Sequence, residues 1–171
     1  MEIYDQVFGE YDFAQIIQDM ARPQWSYGHA SVSKNHDIPF WEMKLDDEQF
    51  YNDYLLNIIR DVTNEPDLEL ERVYANGHVF GDKAMPHTDG HYDDCRTFLL
   101  YANHMWEQTW GGKTAFQGSD GKWTYAEPAP NKAVFFNGRM THYAEEVSRT
   151  FNSLRVTIAW KLNGATRKLH Y

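Results

Sequence analysis

Past Pro66 the hydrophobic pattern changes period, and this change limits the fold more than any other feature of the chain. Leu68, Leu70 and Arg72 alternate with Glu69, Glu71 and Val73 up to the turn signal Asn76-Gly77. Further short strands are expected at 97–101, 114–117, 122–127, 132–136 and 154–162, several of them separated by Gly111-Gly112, Gly118-Ser-Asp-Gly121 and Asn137-Gly138. No helical period intervenes between them. That excludes a βαβ array and points to an antiparallel sandwich or barrel. Two helices are expected before Pro66. The first, Tyr11 to Ala21, carries Phe13, Ile16, Ile17 and Met20 at helical spacing and ends at Arg22-Pro23. The second starts from Asp46 as N-cap, with Gln49 three residues on. Phe50, Tyr54, Leu55, Ile58 and Val62 mark its apolar face, and Asn64-Glu65-Pro66 stops it. The stretch from Trp25 to Trp41 is polar and aromatic without a period. The expected class is therefore mainly β with flanking helices (α+β): a double-sheet jelly roll with helices packed outside it.

At 171 residues the chain is expected to form one domain, with residues 1–66 as helical support and 67–163 as the jelly-roll core. A net charge of −9 argues against a broad electrostatic grip on nucleic acid. The single cysteine, Cys95, excludes an intrachain disulfide and fits a reducing compartment. No apolar run is long enough to span a bilayer, and the acidic N-terminus is unlike a signal peptide. These features give the expectation of a cytoplasmic protein that needs no membrane.

Within the β half, His87-Thr88-Asp89 and the distant His142 are the residues with metal chemistry. On an extended segment, side chains two apart share a face, so His87 and Asp89 can grip one ion, with a third ligand from a neighbouring strand. Two imidazoles and a carboxylate suit non-haem Fe(II), because they leave coordination positions open. Without thiolates the set fits catalysis better than structural zinc. His91 competes as a ligand, although Gly90 and Asp93-Asp94 suggest that the chain has turned into a loop by then. His29, His36, His78, His104 and His170 are expected to be mostly solvated. Ala133-Val134-Phe135-Phe136 reads as a buried strand, after which the Asn137-Gly138 turn would deliver His142 onto the next one. Arg155 opens the apolar strand beyond His142 and would suit a dicarboxylate co-substrate. Arg149, in the polar run 148–150, is its rival.

Tyr74-Ala-Asn-Gly77, His87-Thr-Asp89, Thr97-Phe-Leu-Leu-Tyr101-Ala-Asn103, Trp110-Gly-Gly-Lys-Thr114, Phe135-Phe-Asn-Gly138, His142 and Arg155-Val-Thr-Ile together resemble the Fe(II)/2-oxoglutarate-dependent dioxygenases, in particular their prolyl-4-hydroxylase-like branch. The resemblance runs from about Leu68 to Leu162 with the motifs in the family's order. It implies a double-stranded β-helix, Fe(II) held by His87, Asp89 and His142, and 2-oxoglutarate chelating that metal. Arg155 would pair with the far carboxylate of 2-oxoglutarate; a guanidinium fork matches a carboxylate bidentately. Tyr101 matches a position whose phenol reaches the same carboxylate, and Thr114 a strand lining the pocket. Arg155 lies thirteen positions after His142, at the long end of the family's spacing. The implied reaction is hydroxylation of a C–H bond with O₂ as co-substrate and release of succinate and CO₂. The substrate would be a prolyl residue of a peptide or a small molecule. Asp89 favours hydroxylation over halogenation. Trp106, Trp110, Trp25, Tyr27 and Trp41 are candidates to wall or cover the pocket. The alternatives are a non-catalytic metal- or ligand-binding jelly roll, which would need no second anion site, and a metal-dependent hydrolase, which would need a general base.

Overall fold

The structure is a computed structural model that describes residues 1–30 and 38–164. Seven strands form one sheet in the order β1-β8-β5-β10-β4-β3-β2, with every neighbour antiparallel. They are β1 Glu2–Tyr4, β2 Ser26–His29, β3 Phe40–Lys44, β4 Glu69–His78, β5 Cys95–Tyr101, β8 Ala133–Asn137 and β10 Arg155–Asn163. Facing it is a smaller sheet in the order β7-β6-β9, made of β6 Thr114–Gln117, β7 Trp123–Ala126 and β9 His142–Ala144. A bridge between His87 and His142 adds one further extended segment to its edge. The two antiparallel sheets make the jelly-roll core.

β10 is buried along its whole length, and its two faces do different work. Val156, Ile158, Trp160 and Leu162 join the larger hydrophobic core, where α1 (Glu10–Met20) and α2 (Leu55–Thr63) cover the outer face of the large sheet. Arg155, Thr157, Ala159 and Lys161 point the other way, into the space between the sheets. Trp160 is fully buried, and its indole N–H donates to the carbonyl of Tyr51 at 2.9 Å. Truncating an aromatic ring of that size in a packed core costs about 3–5 kcal/mol. Tyr51 lies in a π-helical turn, Phe50–Tyr54, that leads into α2, and its hydroxyl donates to Asp19 of α1 at 2.8 Å.

Four local expectations are corrected. Asn76-Gly77 is not a turn but lies inside β4, where the absence of a side chain matters for packing: a Cβ on Gly77 would come within 3.1–3.2 Å of Trp25, Leu154 and Trp41. Asp46 does not cap the second helix; its carboxylate accepts from the backbone N–H of Val73 at 2.8 Å, tying the helix entry to β4. The segment around residues 25–41 contains β2 and begins β3, and β1 also escaped the periodicity; all three are too short or too near an edge to alternate clearly. His78 is not solvated: it is 3% exposed, at the inward end of β4. His36 and His170 lie outside the described residues.

Candidate active site

His87, Asp89 and His142 converge, each offering a ligand atom within 4.8 Å of the others. Backbone geometry places them. The His87 N–H donates to the His142 carbonyl at 3.0 Å, and the His142 N–H returns a bond to His87 at 2.9 Å. Further along, the Gly138 carbonyl accepts from the N–H groups of Asp89 and Gly90 at 2.7 and 3.2 Å. The Asn137-Gly138 turn therefore anchors the His-x-Asp segment as well as leading to His142.

Each imidazole is oriented by its own chain. His87 Nδ1 lies 2.8 Å from the Met85 carbonyl and His142 Nδ1 lies 2.9 Å from the Met140 carbonyl. As neutral rings they place the proton on Nδ1 and leave Nε2 with a free lone pair. Both Nε2 atoms face Asp89, at 3.6 Å for His87 and 3.5 Å for His142. Burial works against the Asp89 carboxylate, but Lys161 foremost, then His87 and His142, hold its pKa well below the ordinary value. Two imidazole nitrogens, a carboxylate and no thiolate are the donor set expected of a non-haem Fe(II) centre. His91 is exposed and stands apart from the cluster.

The cluster lies in a cavity of about 140 Å³ between the sheets. Antiparallel pairing of β10 with β4 builds its floor as facing pairs: Arg155 with His78, Thr157 with Asn76, Ala159 with Tyr74, and Lys161 with Arg72. At the Arg155 end the guanidinium is 1% exposed; its Nε donates to the Gly112 carbonyl at 2.6 Å and its Nη2 to Thr114 Oγ1 at 3.0 Å. Among the described residues no carboxylate pairs with it. Asn103 brackets this residue: its side chain accepts from Val156 N–H and donates to the Leu154 carbonyl, both at 2.8 Å. Gly112 has φ +67°, and a Cβ there would stand 2.9 Å from Arg155 Cδ, so glycine is needed for the guanidinium to lie where it does. Arg149 is exposed and rests near the Phe80 ring instead.

Thr114 lines the cavity beside Arg155, whereas Tyr101 sits beneath it. The Tyr101 hydroxyl lies 2.8 Å from Thr114 Oγ1 and 3.1 Å from the Ala126 carbonyl, and the ring packs under the Arg155 guanidinium at 5.5 Å. Trp106 and Trp110 pack on each other and on Phe151, and Trp25 and Trp41 border a separate groove; none of the four lines the cavity.

Among the cavity residues that sequence reasoning missed, Lys161 and His78 matter most. Lys161 is 6% exposed and pairs with Asp89, and His78 has neither ring nitrogen hydrogen-bonded. The parity of β10 carries the signal for Lys161, which sits six residues past Arg155 on the same face. Nothing local marks His78.

Burial first, then the nearby Arg155, lowers the His78 pKa to about 3, and burial lowers that of His142 to about 4. In the unfolded chain both rings protonate near the ordinary 6.5. The neutral rings therefore contribute stability that is complete above pH 6.5 and is lost as pH falls toward their folded values. Thermal unfolding of the metal-free protein should shift steadily downward between pH 6.5 and 4. A melting temperature that is flat across that range would contradict the buried neutral assignment.

A family model described as the 2OG-Fe(II) oxygenase superfamily matches residues 72–160, the span that contains every residue of the cluster and Arg155. No curated protein matches the chain. Among solved structures, a Trichoplax adhaerens prolyl hydroxylase in complex with a hypoxia inducible factor oxygen degradation domain peptide fragment superposes with a TM-score of 0.75 at 17% identity, covering 99% of this chain and 86% of that one. A Pseudomonas putida prolyl-4-hydroxylase gives 0.70 at 16% identity, over 95% and 91% of the two chains. The viral collagen prolyl hydroxylase from Paramecium Bursaria Chlorella virus-1, a 2OG complex, gives 0.63 at 14%, over 95% of each. At these identities the likeness is one of fold.

Proposed function

The chain belongs to the 2OG-Fe(II) oxygenase superfamily, which uses Fe(II), 2-oxoglutarate and O₂, and we propose that it hydroxylates an unactivated C–H bond of a peptidyl proline or a small molecule. In this reading His87, Asp89 and His142 hold the iron. Arg155 binds the far carboxylate of 2-oxoglutarate, Thr114 stands beside it in the cavity, and Tyr101 supports both from below. His78, facing Arg155 across the floor, gives the same carboxylate a hydrogen-bond donor. The entire chain acts as one oxygenase domain, and the free Cys95 fits a reducing, cytoplasmic setting. Among the described residues, no helix is long and apolar enough to cross a membrane.

The observation that carries the reading is Arg155, a buried cation without a carboxylate partner among the described residues, in the same cavity as the metal-type cluster. An unpaired buried charge is costly, so its retention calls for an anionic ligand. A structural or metal-only jelly roll has no use for it. A hydrolase would require a general base on a metal-bound water, and the group beside the cluster, Lys161, is a cation paired with Asp89.

Bound Fe(II) and O₂ supply the oxidising chemistry, with 2-oxoglutarate decarboxylated to succinate. The chain's own contribution is placement. Arg155 at one end of the floor fixes the co-substrate lengthwise, burial favours the neutral ring of His142, and the recessed position between the sheets limits water. Anaerobic addition of Fe(II) and then 2-oxoglutarate should produce a weak visible metal-to-ligand charge-transfer band that requires both. Bound metal without a band would overturn the co-substrate assignment.

A further inference from the structure

We propose that Lys161 is a positioning residue that restricts Asp89 to a single metal-binding oxygen, keeping one more coordination position open for the reaction; this rests on the metal reading above. The two carboxylate oxygens are held differently. Oδ2 receives the Lys161 ammonium and, at 2.7 Å, the Thr97 hydroxyl as a second donor. Oδ1 has no donor of this kind and faces only the Nε2 of His87, at 3.6 Å. A carboxylate oxygen offers about two lone-pair directions. Those of Oδ2 are taken by Lys161 and Thr97, with His142 Nε2 standing 3.5 Å from the same oxygen, while those of Oδ1 carry no such donor and are open on the His87 side.

The arrangement is built into the sheet. Thr97 of β5 is the direct cross-strand partner of Lys161 on β10, so the two donors flank the carboxylate from adjacent strands. Lys161 is buried, and its only carboxylate partner among the described residues is Asp89. An ammonium has no acceptor to offer a metal, so Lys161 can act on the centre only through Asp89. Its long side chain packs against Tyr74, with Nζ 5.8 Å from the ring centre, which limits its swing.

Denticity matters because co-substrate and O₂ need adjacent sites. A carboxylate clamping the ion through both oxygens would occupy one of them. Lys161 and Thr97 prevent this by keeping Oδ2 engaged elsewhere.

The test counts exchangeable waters on Mn(II)-loaded protein by water-proton relaxation, without turnover, in wild type, Lys161→Met, Thr97→Val and the double variant. Wild-type protein should show the most waters. Lys161→Met and the double variant should lose about one, with Thr97→Val intermediate, because six-coordinate ions of this type fill what the protein leaves open. On adding 2-oxoglutarate, the wild-type ion should keep an exchangeable water and the double variant should keep none. Equal water counts in all four proteins would overturn the proposal. So would loss of Mn(II) binding in folded Lys161→Met, since a residue that only occupies the second oxygen is not needed for ligation. Should Lys161→Met fail to fold, Thr97→Val decides alone. Failure of wild-type protein to take up Mn(II) would instead defeat the metal reading.

Discussion

Asp89→Ala should abolish metal loading and also lower the melting temperature of the metal-free protein by roughly 6–20 °C. The first effect removes the only carboxylate of the cluster, leaving two neutral imidazoles for a divalent ion. The second is independent of metal. Lys161 is buried against Asp89, and removing one member of such a pair leaves an uncompensated charge that typically costs about 3–5 kcal/mol. The two effects separate experimentally. Calorimetry of Asp89→Ala and of Asp89→Ala/Lys161→Met should show much of the lost stability return in the double variant, because the stranded ammonium is gone. A single variant that melts like wild type would show that the pair contributes nothing.

Arg155→Ala should weaken 2-oxoglutarate binding by roughly 30-fold at the least, since truncating one partner of a buried, hydrogen-bonded charge pair costs about 2–5 kcal/mol. Isothermal titration of the Mn(II)-loaded variant measures this directly. Metal affinity should hardly move, because Arg155 lies at the opposite end of the cavity floor from Lys161 and Asp89. The stability pattern should be equally telling. Wild-type protein at about 100 times the dissociation constant of its ligand gains about 2.7 kcal/mol, whereas the variant under the same conditions should gain little. Unchanged 2-oxoglutarate affinity in the variant would remove Arg155 from the binding site.

The parts of this site visible in the sequence are those where one local rule decides. His87 and Asp89 are two apart on an extended segment. Arg155 begins an apolar run whose alternate members fill the main core, so its side chain turns inward. Strand 114–117 falls where turn residues bracket it. The failures occur where a distant partner overrides the local signal. Asn76-Gly77 has the composition of a turn, yet β10 and β3 pair with it on both sides and keep the chain extended, with Trp25, Trp41 and Leu154 packed against Gly77. Asp46 has the composition of a cap, yet the N–H of Val73, twenty-seven positions on, takes its carboxylate. His78 becomes a cavity residue only because antiparallel pairing puts it opposite Arg155, a register that exists only once the sheet has assembled.

The two-faced burial of β10 also determines how such a chain can change. Substitutions on this strand alter either the lining of the cavity or the packing of the core, one position at a time. A change in length does not respect that division. One residue inserted between Arg155 and Lys161 would keep Arg155 in place while sending every later side chain to the opposite face. Lys161 would then meet the oily layer under the helices, and Trp160 would meet the metal ligands. The one register shift against β4 falls opposite Lys161 and Leu162, where β4 rather than β10 carries the extra residue, Glu71, just past the last cavity-facing position, so the irregularity is absorbed where it costs the site nothing. Between those two basic residues the strand behaves as a fixed-length ruler, free to vary in composition and closed to insertion or deletion.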